Sequence, residues 1–328
     1  GVFESVVRTN GPGNPPQGEV WPNDFKYNIY VGVHTYATEG IYIISMTDPN
    51  RNAGIINVNP PQSENVPFHL QAMINFLPEA DGSTASPVLL EYPIDIASVG
   101  QPYIHIPNAF SASGDSIAYQ LTVPMEGLDM PVPNYSFPNE FGFNPDVIFS
   151  LDSVTGKLIW DAPQIQGAYV VTILIKFYRN QILVGTTLRD MMIEVYPDFG
   201  PAPAVLLGTP EDVVQEVNVG ETVTVDLMVN EPEPEQNALE ITSTSGLYEI
   251  QSPATFSANV SGSSATGVFN WVVQPEHVRE QPYTVVFKAK DTSNGLAAVK
   301  LVRFRAKATV AAPIVPNVEL KCSTYPNP

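Results

Sequence analysis

Apolar residues recur at every second position through much of the chain. Phe68, Leu70, Ala72, Ile74 and Phe76 fall on one face of a predicted strand, with His69, Gln71 and Asn75 on the other. The same period runs through Val223, Val225, Leu227 and Val229, through Tyr283, Val285, Phe287 and Ala289, and through Val302, Phe304 and Ala306. A longer apolar run, Tyr169 to Phe177, reaches the tip Arg179-Asn180-Gln181 and returns through Met191, Ile193 and Val195, which predicts a hairpin. Another hairpin is expected between Lys26–His34, with Tyr27, Ile29, Val31 and Val33 on one face, and Ile41–Met46. No stretch of ten or more residues holds a helical period. The pattern predicts an all-β chain of antiparallel sandwiches.

Three short anchors recur in the same order. Val88-Leu89-Leu90 matches Val205-Leu206-Leu207, Val99-Gly100 matches Val219-Gly220, and Thr155-Gly156 through Trp160 matches Thr266-Gly267 through Trp271. Their spacing of roughly 110–120 residues is the length of one sandwich and predicts tandem immunoglobulin-like β-sandwiches. The glycine of the third anchor suits a turn with positive φ, after which Leu158 and Trp160 face one core. The expected organisation is a partial sandwich over 1–85, sandwiches over 86–198 and 199–313, and a proline-bounded extension over 314–328.

The 328 residues include 44% hydrophobic side chains, enough for two or three cores. A net charge of −19 excludes a nucleic-acid backbone as partner, because that contact needs clustered Lys and Arg. One cysteine, Cys322, rules out an intrachain disulfide. No apolar run is long enough to span a membrane as a helix. Gly1 opens into Val2-Phe3-Glu4 without a signal-peptide pattern, so a mature, trimmed or partial chain is expected.

Candidate chemistry is sparse. His34, His69, His105 and His277 lack a second His or a Cys at metal-ligand spacing and read as packing or surface residues. Nucleophile elbows and phosphate loops are absent, and Glu231, Glu233 and Glu235 alternate with proline in an extended loop; no enzyme is expected. Arg303, Arg305 and Lys307 alternate along one strand and read as a solvated face. Tyr135, Phe137, Phe141 and Phe143 cluster in PNYSFPNEFGF, a segment that suits either a sugar platform, a subunit contact or packing against its own sandwich.

Several segments resemble known families. VHTYATEGIYIISMTD, with His34, Tyr36, Gly40, Tyr42, Ile44 and Asp48, is similar to the last hairpin of PKD-type immunoglobulin-like domains. Asn108 to Tyr119 resembles the cadherin-like calcium signature, but only Asp115 of its acids is present, with Ser111 and Ser113 at the earlier positions. That makes Asp115 a weak calcium candidate, since Ca²⁺ favours several carboxylates. Asp48 to Val58, Ser86 to Leu121 and Phe149 to Val195 resemble large secreted Bacteroidetes proteins of the gliding-motility-associated or type IX secretion cargo kind. Tyr325, Pro326, Asn327 and Pro328 match the opening of the type IX sorting domain, the rest of which is expected to be removed or not included.

That resemblance implies an extracellular or outer-surface location and no known catalysis. Asp115-Ser116-Ile117 and Asp152-Ser153-Val154 fit the D-[S/T]-aliphatic O-glycosylation pattern of such proteins, marking Ser116 and Ser153. The functional expectation is a structural or adhesive protein that associates with itself or with other surface proteins. A filament built by strand addition, with the first ten residues or Ile314–Lys321 as donors, is one form of it. The alternative is a carbohydrate-binding region of a larger secreted protein, with polysaccharide as partner. No cofactor other than calcium is expected.

Overall fold

The computed structural model describes residues 6–20, 25–76, 86–197, 200, 202–230 and 239–308. The chain divides into two units, Gly1–Gly40 and Ile41–Pro328. In the first, β1 (Glu19–Val20) pairs with β2 (Lys26–Tyr27). The strand expected over Lys26–His34 shrinks to these two residues. Beyond it, the backbone of Ile29 bonds to the Gly/Pro-rich loop instead, through Thr9 N–H and the Asn10 carboxamide. Val31 and Val33 are exposed, so the alternation there has no sheet to pack on.

In the second unit, β3 (Gly40–Asp48) pairs with β4 (Phe68–Phe76), which takes the place of the expected Lys26–His34 partner. The chain continues through β5 (Val88–Leu89), β6 (Ile94–Ser98), β7 (Tyr103–His105), β8 (Ala109–Phe110), β9 (Ser116–Thr122), β10 (Met125–Gly127) and β11 (Met130–Pro131). Then follow β12 (Phe149–Leu151), β13 (Leu158–Trp160), β14 (Gly167–Arg179) and β15 (Ile182–Tyr196). The β14–β15 hairpin turns on Asn180 and Gln181, both at positive φ, as the twist of a two-residue hairpin requires. Strands β6, β15, β14 and β9 form one layer, and β12, β13 and β7 the other. Between them lie Trp160, Tyr169, Val171, Ile173, Ile175 and Met191.

Residues 40–76, expected to belong to a separate sandwich, instead extend this sheet. One edge of β15 takes two partners: β6 in parallel along Met192–Tyr196, and β4 in antiparallel along Gly185–Thr187. The segment between β3 and β4 is pinned by two buried polar side chains. Asn57 accepts from Val170 N–H (2.9 Å) and donates to Val170 C=O (2.8 Å), substituting for a strand partner on β14 beyond the end of β9. Arg51 donates to Asp190 (2.8 Å) and to the carbonyl of Met125. Ile55, Val58 and Val66 then cover Val170 on the outer face of β14.

A second sandwich follows: β16 (Ala204–Leu207), β17 (Val214–Asn218), β18 (Thr222–Asn230), β19 (Leu239–Ser245), β20 (Thr255–Ser261), β21 (Ser264–Val272), β22 (Tyr283–Asp291) and β23 (Ala297–Lys307). Its sheets run β16-β18-β21-β20 and β17-β23-β22-β19, the immunoglobulin-like arrangement in which the first strand is shared between layers. The repeated Val-Gly anchor does the same work twice. Val99 and Val219 donate to Tyr196 and Lys307, Gly100 and Gly220 donate to Pro163 and Val273, and both glycines have positive φ. The Thr-Gly anchor differs between copies. Gly156 sits in a turn at φ +74, whereas Gly267 lies inside β21, where an added Cβ would press on the Phe256 ring at 3.0 Å. Both nevertheless deliver a tryptophan, Trp160 or Trp271, into its core at 1% exposure.

Candidate functional site

The densest polar chemistry lies where the two sandwiches meet, and sequence reasoning missed it. Asp95 on β6 accepts from the Lys288 ammonium (2.7 Å), from His105 Nδ1–H (2.6 Å) and from the Tyr103 hydroxyl (3.2 Å). Arg189 Nη2 donates to His105 Nε2 (3.4 Å), which requires a neutral imidazole protonated on Nδ1. Glu91 accepts from the Thr244 hydroxyl, and the Asn108 amide donates to the Thr244 carbonyl (3.0 Å). Lys288 and Thr244 belong to the second sandwich and the other groups to the first, so these bonds join the two.

Burial acts on every member. It pushes the Asp95 carboxyl up, but Lys288 and His105 outweigh it and hold Asp95 well below the usual carboxylate range. Burial lowers His105 to about 4 despite the Asp95 charge, aided by Arg189 and Lys288. Glu91 is raised by burial, and Lys288 is raised because Asp95 overrides its desolvation. The result is a charged Asp95–Lys288 pair beside a neutral histidine.

Apolar contacts surround it. Ile104 and Ile106 pack on Val286, Val299 and Leu301, which sit on the outer face of the β22–β23 pair. Phe110 and Leu90 enter the core of the second sandwich, where Gly246 leaves room: a Cβ there would lie 2.0 Å from the Phe110 ring. Arg279 stacks on Tyr283 (3.7 Å to the ring centroid) and donates to the carbonyl of Ser111 (3.1 Å). Arg303, read from sequence as solvated, is buried beside this junction, while Arg305 does pair near the surface, with Glu216. A legible sign existed: Val286, Val299 and Leu301 are apolar on the face opposite Phe287 and Phe304, and a strand apolar on both faces is covered on both.

The candidates taken from sequence lie elsewhere, and of them only Tyr135 and Phe137 are brought into contact. Asp115 is buried and held by Arg179 at the hairpin end, Nε to Oδ1 at 2.8 Å and Nη2 to Oδ2 at 3.1 Å, with Ser111 donating to Oδ2. Among the described residues no group of three or more His, Cys, Asp or Glu side chains is placed to hold a metal. A calcium ion at Asp115 would have to displace the guanidinium. Tyr135 donates to the Val170 carbonyl (3.1 Å), Phe137 meets Tyr135 and Phe149, and Phe141 meets Tyr169 edge-on. Of the four loop aromatics only Phe143, 87% exposed, stands in solvent.

Ser116 and Ser153 are both exposed. His277 receives Trp271 Nε1–H and Gln274 N–H on Nδ1, a structural lock, and His69 contacts Thr47 and Gln71. Tyr325 to Pro328, Glu231/233/235 and the Ile314–Lys321 segment lie outside the described residues.

No family model matches the chain, and no curated protein matches it. Solved structures share local resemblance. The sialic acid binding region of a Streptococcus sanguinis SK1 adhesin aligns at 12% identity and TM-score 0.26, covering 69% of this chain and 79% of that one. Human CDH23 EC21–23 aligns at 18% identity and TM-score 0.22, covering 68% and 70%. Domains 4 and 5 of the S-layer protein SbsC align at 17% identity and TM-score 0.19, covering 44% and 69%. The strand order given above is what establishes the tandem immunoglobulin-like fold.

Proposed function

We propose that the chain is a non-enzymatic extracellular protein with a structural or adhesive role, its two sandwiches acting as one stiff element. The observation that carries this reading is the junction: a part-buried Lys288–Asp95 bond and the apolar cluster of Ile104, Ile106, Val286, Val299 and Leu301 join the two sandwiches. Such a joint suits a part that transmits load or presents a surface at fixed geometry. An outer-surface location and export by the type IX route rest on the sequence motifs alone, as do the likeness to Bacteroidetes proteins and O-glycosylation at Ser116 and Ser153. In its finer form the reading includes self-assembly by strand addition from a terminal segment. Light scattering with negative-stain imaging tests it. Long polymers that vanish when 314–328 or the first ten residues are deleted, with the sandwiches still folded, are expected; polymers unchanged by either deletion refute the terminal-donor form.

The second reading is a carbohydrate-binding region of a larger secreted protein. Phe143 is the observation in its favour, since of Tyr135, Phe137, Phe141 and Phe143 it is the one that presents an open ring. Retention on polysaccharide that is lost in Phe143→Ala would support it, and retention that survives would exclude this ring as the platform.

A further inference from the structure

Phe143 is the most exposed large apolar side chain among the described residues, at 87%. Its backbone is nevertheless pinned by a side chain from another loop. Gln164 Oε1 accepts from Phe143 N–H (2.9 Å) and from Asn144 N–H (2.8 Å), and Gln164 Nε2 donates to the Asn144 carbonyl (2.9 Å). One carboxamide thus takes the place of a strand partner for the loop. Gly142, at φ +127, lets it come this close, since a Cβ there would lie 2.5 Å from Gln164 Cδ. Phe141 turns inward and meets the buried Tyr169 edge-on, which anchors the base of the loop. The segment of Gln164 is itself tied down, with Gly100 N–H donating to the Pro163 carbonyl (2.9 Å). A free loop would tuck such a ring onto the sandwich, and these bonds hold it out instead.

The surroundings select what the ring can meet. Segments 137–150 and 158–168, which supply the loop and its support, carry Glu140, Asp146 and Asp161 and no Lys or Arg. All three acids are exposed. Their charge repels anionic sugars, while their oxygens can accept from hydroxyl groups. We propose that Phe143 stacks on the C–H face of a neutral pyranose, and that Gln164 is its positioning residue, holding the ring out before the sugar arrives. This rests on the carbohydrate reading and narrows it to uncharged glycans. A loop ordered in advance favours binding by roughly two- to tenfold over one that must be ordered on contact.

The test is affinity electrophoresis of the full chain through gels holding a neutral glucan, mannan or galactan, or a polyuronate, together with amide exchange resolved to single residues. Retardation is expected in a neutral gel and not in polyuronate. Phe143→Ala should abolish it while the Asn144 amide stays protected. Gln164→Ala should speed exchange at residues 143 and 144 at least about tenfold and weaken retardation roughly two- to tenfold, with the melting temperature held. Gln164→Glu keeps both accepted bonds and should restore both readouts. Amides still protected in Gln164→Ala overturn the positioning role, as does retardation unchanged once they are exposed. Retardation that survives Phe143→Ala overturns the proposal but leaves the carbohydrate reading to another surface. Retardation in none of the gels refutes both, and retardation by polyuronate alone refutes the neutral class.

Discussion

Replacing Lys288 by methionine tests whether the junction acts as a joint or merely as a contact. The stem of Lys288 stays, so the packing around it is kept and only the ammonium is lost. Asp95 then retains His105 and Tyr103 as donors but loses its nearest cation, at 2.7 Å. Breaking a buried pair by removing one partner costs about 3–5 kcal/mol. The Lys288 side chain is 21% exposed and Asp95 12%, so water reaches the bared carboxylate and the expected cost falls to about 2–3 kcal/mol. Urea denaturation followed by circular dichroism measures it. Asp95→Asn and the double variant close a cycle whose coupling energy isolates the pair from changes in packing. Hydrogen exchange locates the effect, with faster exchange expected at Ile104–Asn108 and along β22 and no change at the β14–β15 hairpin tip. A loss below about 0.5 kcal/mol, or a coupling energy near zero, would show that the pair behaves as an exposed ion pair and would refute the rigid-joint reasoning.

Acidification should loosen the same joint. A histidine held at about 4 when folded, against its ordinary 6.5, favours the folded state fully above pH 6.5 and loses that contribution as pH falls toward 4. The shift corresponds to about 3 kcal/mol. Depression of the Asp95 carboxyl adds a loss that begins only below the ordinary carboxylate range. Melting temperatures between pH 7.5 and 5 should therefore drop, and His105→Asn should flatten that drop; equal slopes would clear His105. Asn57→Ala removes three bonds to the backbone, at Val170 N–H, Val170 C=O and Ser136 C=O, and should cost about 2–3 kcal/mol. Limited proteolysis should then cut within 49–67, and resistance equal to wild type would show that the apolar contacts alone hold this segment. Excess calcium should leave the wild-type melting temperature unchanged, because Arg179 already occupies Asp115; a clear rise would show the cation displacing it.

What was legible in the sequence is whatever depends on neighbours along the chain. The two-residue period placed Tyr169–Phe177 and its return strand, and Asn180-Gln181 marked the tip. The Val-Gly anchors marked the same backbone turn twice. What was not legible depends on partners remote along the chain. Nothing local to Phe68–Phe76 says that it will pair with Gly185–Thr187, more than a hundred residues later, and not with strands of its own sandwich. Asp115 is a weak calcium candidate from sequence because its neighbours Gly114 and Ser111 keep the shape of a cation loop, while the arginine that pairs with it lies at the far end of another strand. Tyr135, Phe137 and Phe141 suit a platform, a subunit contact or packing on their own sandwich, and the sequence does not choose among these because the surface they cover, on β14 and its neighbours, is remote along the chain.

The junction also explains why charge occurs where hydrophobic contact would have sufficed. Ile104, Ile106, Val286, Val299 and Leu301 supply an apolar seam, and such a seam alone tolerates sliding. A buried ion pair adds little net stability but penalises every arrangement in which either partner is left bare. On β22 the side chains alternate, so Phe287 and Ala289 face the sandwich core while Val286 and Lys288 face the seam. A shift of one residue would bury Lys288 in its own core and strand Asp95 without a cation. A shift of two would bring Val286 or Lys290 to the carboxylate and break the Thr244 bonds to Glu91 and Asn108. One register satisfies all of these groups. The apolar seam supplies adhesion between the sandwiches and the ions supply its geometry, which is the division of labour a stiff tandem element requires.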